Sequence, residues 1–312
     1  MILVTGGTGF VGRALIRQLV SAGYPVRILI RPSPATPNLP RGVSLEVAVA
    51  ALNDDRSLRA AMSGVDVVFH LAGAEHQGAR ADLFGTDIKG TETLARVLAD
   101  LEIKRLFYVS HLGADRASAF PVFKAKAIAE EYIRRSGVPH TIFRAAILYG
   151  PEDHFTSGLA RLISLSPVIF FASRSDTLVQ PLWVEDLITS MVWSLDNEAT
   201  IGQTYEIGGG EFFTVREVMD IVMKTIGKRR ILLPLSMPYL RGLTVAFEQW
   251  FPKFPSSVFW LDYMSVNRTC PVDSIPRLFG FLPARFTYRL DHLKSVDWGK
   301  QARQMIMDRS HA

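Results

Sequence analysis

The sequence predicts a doubly wound α/β fold, a parallel sheet with helices on both faces. Three observations lead to it. Apolar segments of strand length alternate with amphipathic segments of helix length through the first half of the chain. Those strand segments are apolar at successive positions, as strands buried on both faces must be. A glycine-rich turn stands between the first strand and the first helix, where such folds turn most sharply.

Met1-Ile2-Leu3-Val4 is the first strand, and Thr5-Gly6-Gly7-Thr8-Gly9-Phe10-Val11-Gly12 follows at once. Ala14, Leu15, Ile16, Leu19 and Val20 then recur at helical spacing. Gly6, Gly9 and Gly12 stand three residues apart, which suits a turn closed to residues with a Cβ and a backbone that a pyrophosphate approaches closely. Unpaired N–H groups at the helix start meet the phosphate charge. Strand, glycine turn and helix in that order predict a dinucleotide site of the Rossmann type.

Pro25 to Ile30 and Ser44 to Val49 read as the second and third strands, and Ser57 to Met62 as a helix. Asp66 to Leu71 is the fourth strand, ending at Ala72-Gly73. Thr91 to Leu101 is helical, Arg105 to Ser110 is the fifth strand, Phe123 to Ser136 a helix and Thr141 to Arg144 the sixth strand. After Tyr149-Gly150-Pro151 the rhythm breaks. Phe155 to Phe171 reads as helical, Leu178 to Trp183 and Gln203 to Ile207 as short strands. Thr214 and Glu217 form a capping box for a helix that Gly227 ends. The expected division is a dinucleotide-binding domain over residues 1–154 and a smaller α/β lobe over 155–312 that returns elements to the main sheet.

The 312 residues are 48% hydrophobic and 21% charged, a globular composition. One cysteine, Cys270, excludes an internal disulfide and a cysteine-based metal site, so no metal is expected. With residues 1–4 already forming the first strand, no signal peptide is expected, and no run of about 18 uncharged apolar residues predicts a spanning helix. A cytoplasmic protein, peripheral to a membrane at most, is the expectation. The net charge of +5 gathers at Lys224, Lys228, Arg229 and Arg230 and at Lys294, Lys300, Arg303 and Arg309. Solvated surface and a partner, an acidic protein or a membrane surface, both remain open for these clusters; no motif pairs them with nucleic acid.

Several pieces together resemble the extended and atypical short-chain dehydrogenase/reductases, the epimerase-like group: Thr5 to Gly12, His70-Leu71-Ala72-Gly73, Gly90-Thr91, Tyr108-Val109-Ser110, Lys126 to Glu131 and Trp183-Val184-Glu185-Asp186. Leu278-Phe279-Gly280-Phe281-Leu282-Pro283 resembles the branch that contains the NADPH-binding accessory subunit of respiratory complex I. The resemblance implies a nicotinamide cofactor held by Thr5, Gly6, Gly7, Thr8, Gly9, Phe10, Val11 and Gly12, by Leu71, Ala72 and Gly73, and by Ser110 and Lys126. The second strand ends Leu29-Ile30-Arg31-Pro32-Ser33, with no acid to accept a ribose 2′-hydroxyl. Arg31 offers a cationic fork for a 2′-phosphate, with Ser33 and Arg13 as further donors, so NADP(H) is expected over NAD(H). Ala51 stands where relatives carry an aspartate near the adenine, while Asp54 and Asp55 read as helix caps.

The family's acid/base tyrosine precedes its lysine by four residues. Four residues before Lys126 is Val122, and shifting to Lys124 brings Phe120 there; neither has a hydroxyl. Ser110, His111 and Lys126 remain as catalytic candidates, as does Tyr149, read as the end of the sixth strand, and Asp87 takes the place of a family asparagine or caps a helix. Two readings stay open. One is a non-reacting NADP(H)-binding protein with a structural or assembly role in a larger, membrane-associated complex. The other is an NAD(P)H-dependent oxidoreductase on an apolar or quinone-like substrate, with Phe247, Trp250, Phe251, Phe254, Phe259 and Trp260 lining its pocket or serving as core.

Overall fold

The run Ile2–Thr5 is buried at every position and forms β1 of a seven-stranded parallel sheet. With β2 (Val26–Ile30), β3 (Glu46–Val49), β4 (Val67–His70), β5 (Arg105–His111), β6 (His140–Ala145) and β7 (Gln203–Ile207), the order is β7-β6-β5-β4-β1-β2-β3. Strand order reverses between β1 and β4, so the crevice beyond their carboxyl ends is where such a sheet takes ligands. The computed structural model describes residues 1–33, 37, 39–40, 42–172, 177–250 and 257–307.

The chain divides into two units. The first holds Met1–Ala74, Asp82–Ala145 and Val184–Ile207; the second holds Glu75–Ala81, Ala146–Trp183 and Gly208–Ala312. In the first, α1 (Phe10–Ser21) packs with α5 (Val184–Trp193). α2 (Asp55–Ala61), α3 (Gly90–Asp100) and α4 (Pro121–Arg135) pack in succession over the opposite face. There Leu58, Leu94, Leu98 and Ile133 bury against Leu3, Val68, Leu106 and Ile142. On the other face, ring stacking of Phe69 on Phe107 at 4.6 Å ties β4 to β5. Asp54 caps α2 by accepting from the Arg56 N–H, and Asp55 pairs with Arg96 at 2.6 Å. α4 starts with Pro121, whose missing N–H costs nothing at that position.

Polar groups lock the centre of this sheet. Thr5 Oγ1 lies 2.7 Å from His70 Nδ1 and accepts the Leu71 and Ala72 N–H groups. His70 Nε2 lies 2.9 Å from Thr91 Oγ1 on α3. With two N–H groups aimed at its oxygen, the Thr5 hydroxyl directs its proton to Nδ1, which assigns the ring proton to Nε2 and the Thr91 oxygen as its acceptor. Burial, with Lys126 adding like charge, lowers the His70 pKa to about 3, so the ring is neutral.

In the second unit two expectations are corrected. The stretch Phe155 to Phe171 is not one helix: Thr156–Leu165 is helical and Val168–Ala172 is a strand paired in parallel with Ile231–Leu235. Pro167 is the reason, because it forces Ser166 into extended geometry and offers no N–H to continue the helix. Tyr149 does not end the sixth strand; β6 stops at Ala145, and Leu148–Tyr149 pairs separately with Leu182–Trp183. The capping box forms as expected. Thr214 Oγ1 accepts from the Glu217 N–H at 3.2 Å, Glu217 accepts the Thr214 N–H at 2.7 Å, and Gly227 follows the helix at φ +67°.

The neutral His70 makes stability depend on pH in one direction. Its folded pKa lies below the ordinary value of about 6.5, so the unfolded chain binds more protons and stability falls as the pH drops from about 6.5 toward about 3. Between about pH 7.5 and about pH 5, wild type should lose about 2 kcal/mol more than His70→Gln, read from urea unfolding. Equal losses in the two proteins would remove His70 from this role.

Candidate functional site

The turn after β1 is built so that the backbone itself is the surface. Gly6 takes φ +68°, and a Cβ there would lie 2.6 Å from the Leu71 carbonyl and 2.7 Å from the Ala72 nitrogen. β1 and β4 therefore approach as closely as two backbones can at the switch point. Gly12 serves packing, since its Cβ would lie 2.3 Å from the Gly6 oxygen and 2.6 Å from Gly7 Cα. Gly7 is pressed against Ile28 and Ile16. Gly9 differs from these, because a Cβ there meets only the Gly6 oxygen at 3.2 Å and the residue is exposed. The Gly6 oxygen accepts the Gly9 N–H at 3.0 Å, closing the turn.

Gly9 is also the N-cap of α1. No side chain caps this end, and its first turn carries no acidic residue. Its N–H groups and the positive end of the helix dipole are thereby kept for an anion. Arg13 Nη1 donates to the Thr8 carbonyl at 2.5 Å, bracing the turn from inside α1. These features fit the pyrophosphate of a dinucleotide. Arg31 and Ser33 are exposed directly after β2, and Leu71, Ala72 and Gly73 are half-buried after β4.

Beside this crevice lies a buried ion pair that no sequence pattern announced. Asp87, in the π-helical segment Leu83–Lys89, is 3.0 Å from Lys126 Nζ on α4, and both side chains are almost inaccessible. The other Asp87 oxygen accepts the Ala74 N–H at 3.0 Å. Asp87 caps no helix here; it ties the segment after β4 to α4. Lys126 also lies over the Tyr108 ring, 5.6 Å from its centre. Lys124 is exposed, so of the two lysines Lys126 is the one built into the core.

Val122 is half-buried one helical turn before Lys126, on the same side of α4. Phe120 is the residue before α4 and packs its ring against Phe123 at 6.3 Å. Ser110 and Glu130 are both buried. Burial pushes the Glu130 carboxyl up, but hydrogen bonds from Arg144 and Arg134 hold it below the ordinary value. Arg144 Nη2 reaches it at 2.8 Å from the register position opposite Ser110. The His111 ring lies edge-on to Phe123 at 5.9 Å. Tyr149 belongs to the second unit, enclosed by Trp183 at 5.2 Å and Phe286 at 4.8 Å. Lys126, Asp87, Ser110 and His111 thus share the first unit, and Tyr149 does not.

Residues 6–160 match the model of the NAD(P)H-binding family. The chain is 28% identical over 277 residues to the mitochondrial NADH dehydrogenase (ubiquinone) 1 alpha subcomplex subunit 9 of Arabidopsis thaliana, covering 85% of this chain and 69% of that one. It is 29% identical to photosystem II assembly factor Ycf39 of Cyanophora paradoxa, covering 98% of each. It is 26% identical to the ceramide reductase of Caulobacter vibrioides, covering 96% of each. The structure of Thermus thermophilus UDP-glucose 4-epimerase in complex with NAD superimposes with a TM-score of 0.70 at 20% identity, over 95% of this chain and 99% of that one. Residues 6–160 are thus similar to NAD(P)H-binding proteins, and the chain shares the fold of the UDP-glucose 4-epimerase.

Gly9→Val should abolish dinucleotide binding and leave the protein folded, because its side chain would enter the one open approach to the turn. Calorimetric titration with NADPH, alongside circular dichroism, checks both halves. Retained tight binding would mean that the turn is not the phosphate site.

Proposed function

We propose that this protein binds NADP(H) in preference to NAD(H) and keeps it as a structural element within a larger, membrane-associated assembly. The observation that carries this reading is Val122, an apolar side chain one turn before Lys126 where a proton donor would be needed. The Gly6–Gly12 turn and the α1 N-terminus take the pyrophosphate, Arg31 with Ser33 takes the 2′-phosphate, and Lys126 serves the ribose hydroxyls. With Asp87 at 3.0 Å, the Lys126 charge is largely balanced, so its value lies in holding cofactor rather than in activating an acid. A dinucleotide that binds only the folded state stabilises it by mass action without any turnover. Relatives named as a respiratory complex subunit and a photosystem assembly factor support an assembly role. Among the described residues no helix is long and apolar enough to cross a membrane.

A second reading, an NAD(P)H-dependent oxidoreductase on an apolar or quinone-like substrate, is supported by the ceramide reductase that matches along nearly the whole chain. A bound reduced nicotinamide would supply a hydride there. The chain would have to supply the proton from His111, from Ser110 or from solvent, since Tyr149 is enclosed by aromatic rings.

Arg31→Glu should reverse the cofactor preference, weakening NADPH by about 1.5–3 kcal/mol, the worth of a hydrogen bond to a charged group. Equal affinity of wild type for NADPH and NADH, by calorimetry, would overturn the preference.

Reoxidation of NADPH by ketones, aldehydes and quinones should be slow in wild type, for want of acid catalysis worth roughly 10²–10⁴-fold. Val122→Tyr should raise it, because the change restores a hydroxyl one turn from Lys126. Reduction of a simple ketone by wild type at ordinary rates, about 1–10³ s⁻¹, would overturn the non-catalytic reading.

A further inference from the structure

The second unit contains a cavity of about 730 Å³, counting its open mouth. Phe155, Phe171, Met219 and Leu240 are buried and form its floor. His154 and Phe170 are exposed and mark its mouth. Among the described residues that line it, His154 is the one titratable side chain, and there is no Asp, Glu, Lys or Arg. A nucleotide or sugar would meet no such cation for its phosphates and few groups for its hydroxyls, whereas an aliphatic chain would meet apolar side chains.

The surroundings supply the same chemistry. The helix Met237–Trp250 lends Met237 and Leu240 to the cavity. Its solvent face carries Tyr239, Leu243, Phe247 and Trp250, all exposed, at spacings of four, four and three residues. Its two charged residues lie off this stripe, with Arg241 paired to Asp262 and Glu248 buried. An exposed helix face is ordinarily polar, so an apolar one marks contact with an apolar phase. Ile231 and Leu233 are exposed on the neighbouring strand, just after the exposed cations Lys228 and Arg229. Of the aromatics expected at a pocket, Trp260 lines this cavity, Phe259 is core, Phe247 and Trp250 are on the stripe, and Phe251 and Phe254 lie outside the described residues.

We propose that this cavity binds the hydrocarbon chain of one lipid-like molecule, with its polar end at the His154 mouth. The proposal does not depend on the dinucleotide, so its test uses the full protein without NADPH. The probe is 11-(dansylamino)undecanoic acid, followed by its fluorescence, with saturated fatty acids of increasing length as competitors. Wild type should bind the probe saturably at one site. Each added methylene should tighten competition about fourfold, the fold-change for about 0.8 kcal/mol, until the cavity is full. Leu159→Trp and Leu162→Trp, at half-buried lining positions, should each weaken the probe at least about tenfold, as expected for losing the room of two or more methylenes. The double variant Tyr239→Ser/Trp250→Ser should bind it as wild type does. Flotation with phosphatidylcholine–phosphatidylglycerol vesicles then separates the two sources of the chain. Loss of flotation in the double variant identifies a bilayer lipid, and absence of flotation in wild type identifies a free monomer. Unsaturable binding, or cavity variants that bind like wild type while the double variant does not, would overturn the proposal.

Discussion

The meeting of β1 and β4 at the switch point is the constraint on which the first unit depends. Gly6 brings its backbone within a Cβ's radius of the Leu71–Ala72 peptide, so any side chain would push the two strands apart. The Thr5 hydroxyl then takes up the two N–H groups that continue β4 past its ladder, and His70 passes the bond on to α3. Thr5, His70 and Thr91 are all buried and partnered, which is what makes a polar core rigid. The crevice for the cofactor is the by-product, an open backbone surface at Gly9 held by two strands that cannot separate.

Two buried charge clusters flank that centre and divide its chemistry. Asp87 and Lys126 are both withdrawn from water, at a desolvation cost that their mutual attraction must offset, and removing either would strand the other. Glu130 is held by Arg144 and Arg134. A lysine balanced by an aspartate is a weaker electrostatic aid to any neighbouring acid. With Val122 beside it, no such acid stands on that side of α4.

The second unit spends its apolar residues differently. One cluster of its buried side chains, around Ile169, Phe171 and Met219, is shared with a cavity wall. Further apolar side chains are exposed on the Met237–Trp250 helix and the Ile231–Leu235 strand.

The sequence by itself determined the strand and helix order of the first unit, the glycine turn and the capping box at Thr214 and Glu217, because each rests on local periodicity or local backbone geometry. Val122 before Lys126 was equally legible, being a matter of helical spacing. The sequence misread Phe155 to Phe171, where an apolar run fits helix and strand alike and only the pairing of Val168–Ala172 with Ile231–Leu235 decides. Tyr149 was placed at the end of β6 for a similar reason, since nothing local distinguishes one strand from two separated by Ala146 and Ile147. What only the tertiary structure decided were the partners: Asp87 with Lys126, Glu130 with Arg144, Thr5 with His70. Their members lie 14 to 65 residues apart, and a charge or hydroxyl carries no mark of its distant partner. Contacts of that kind exist only once the sheet has brought its strands together in register.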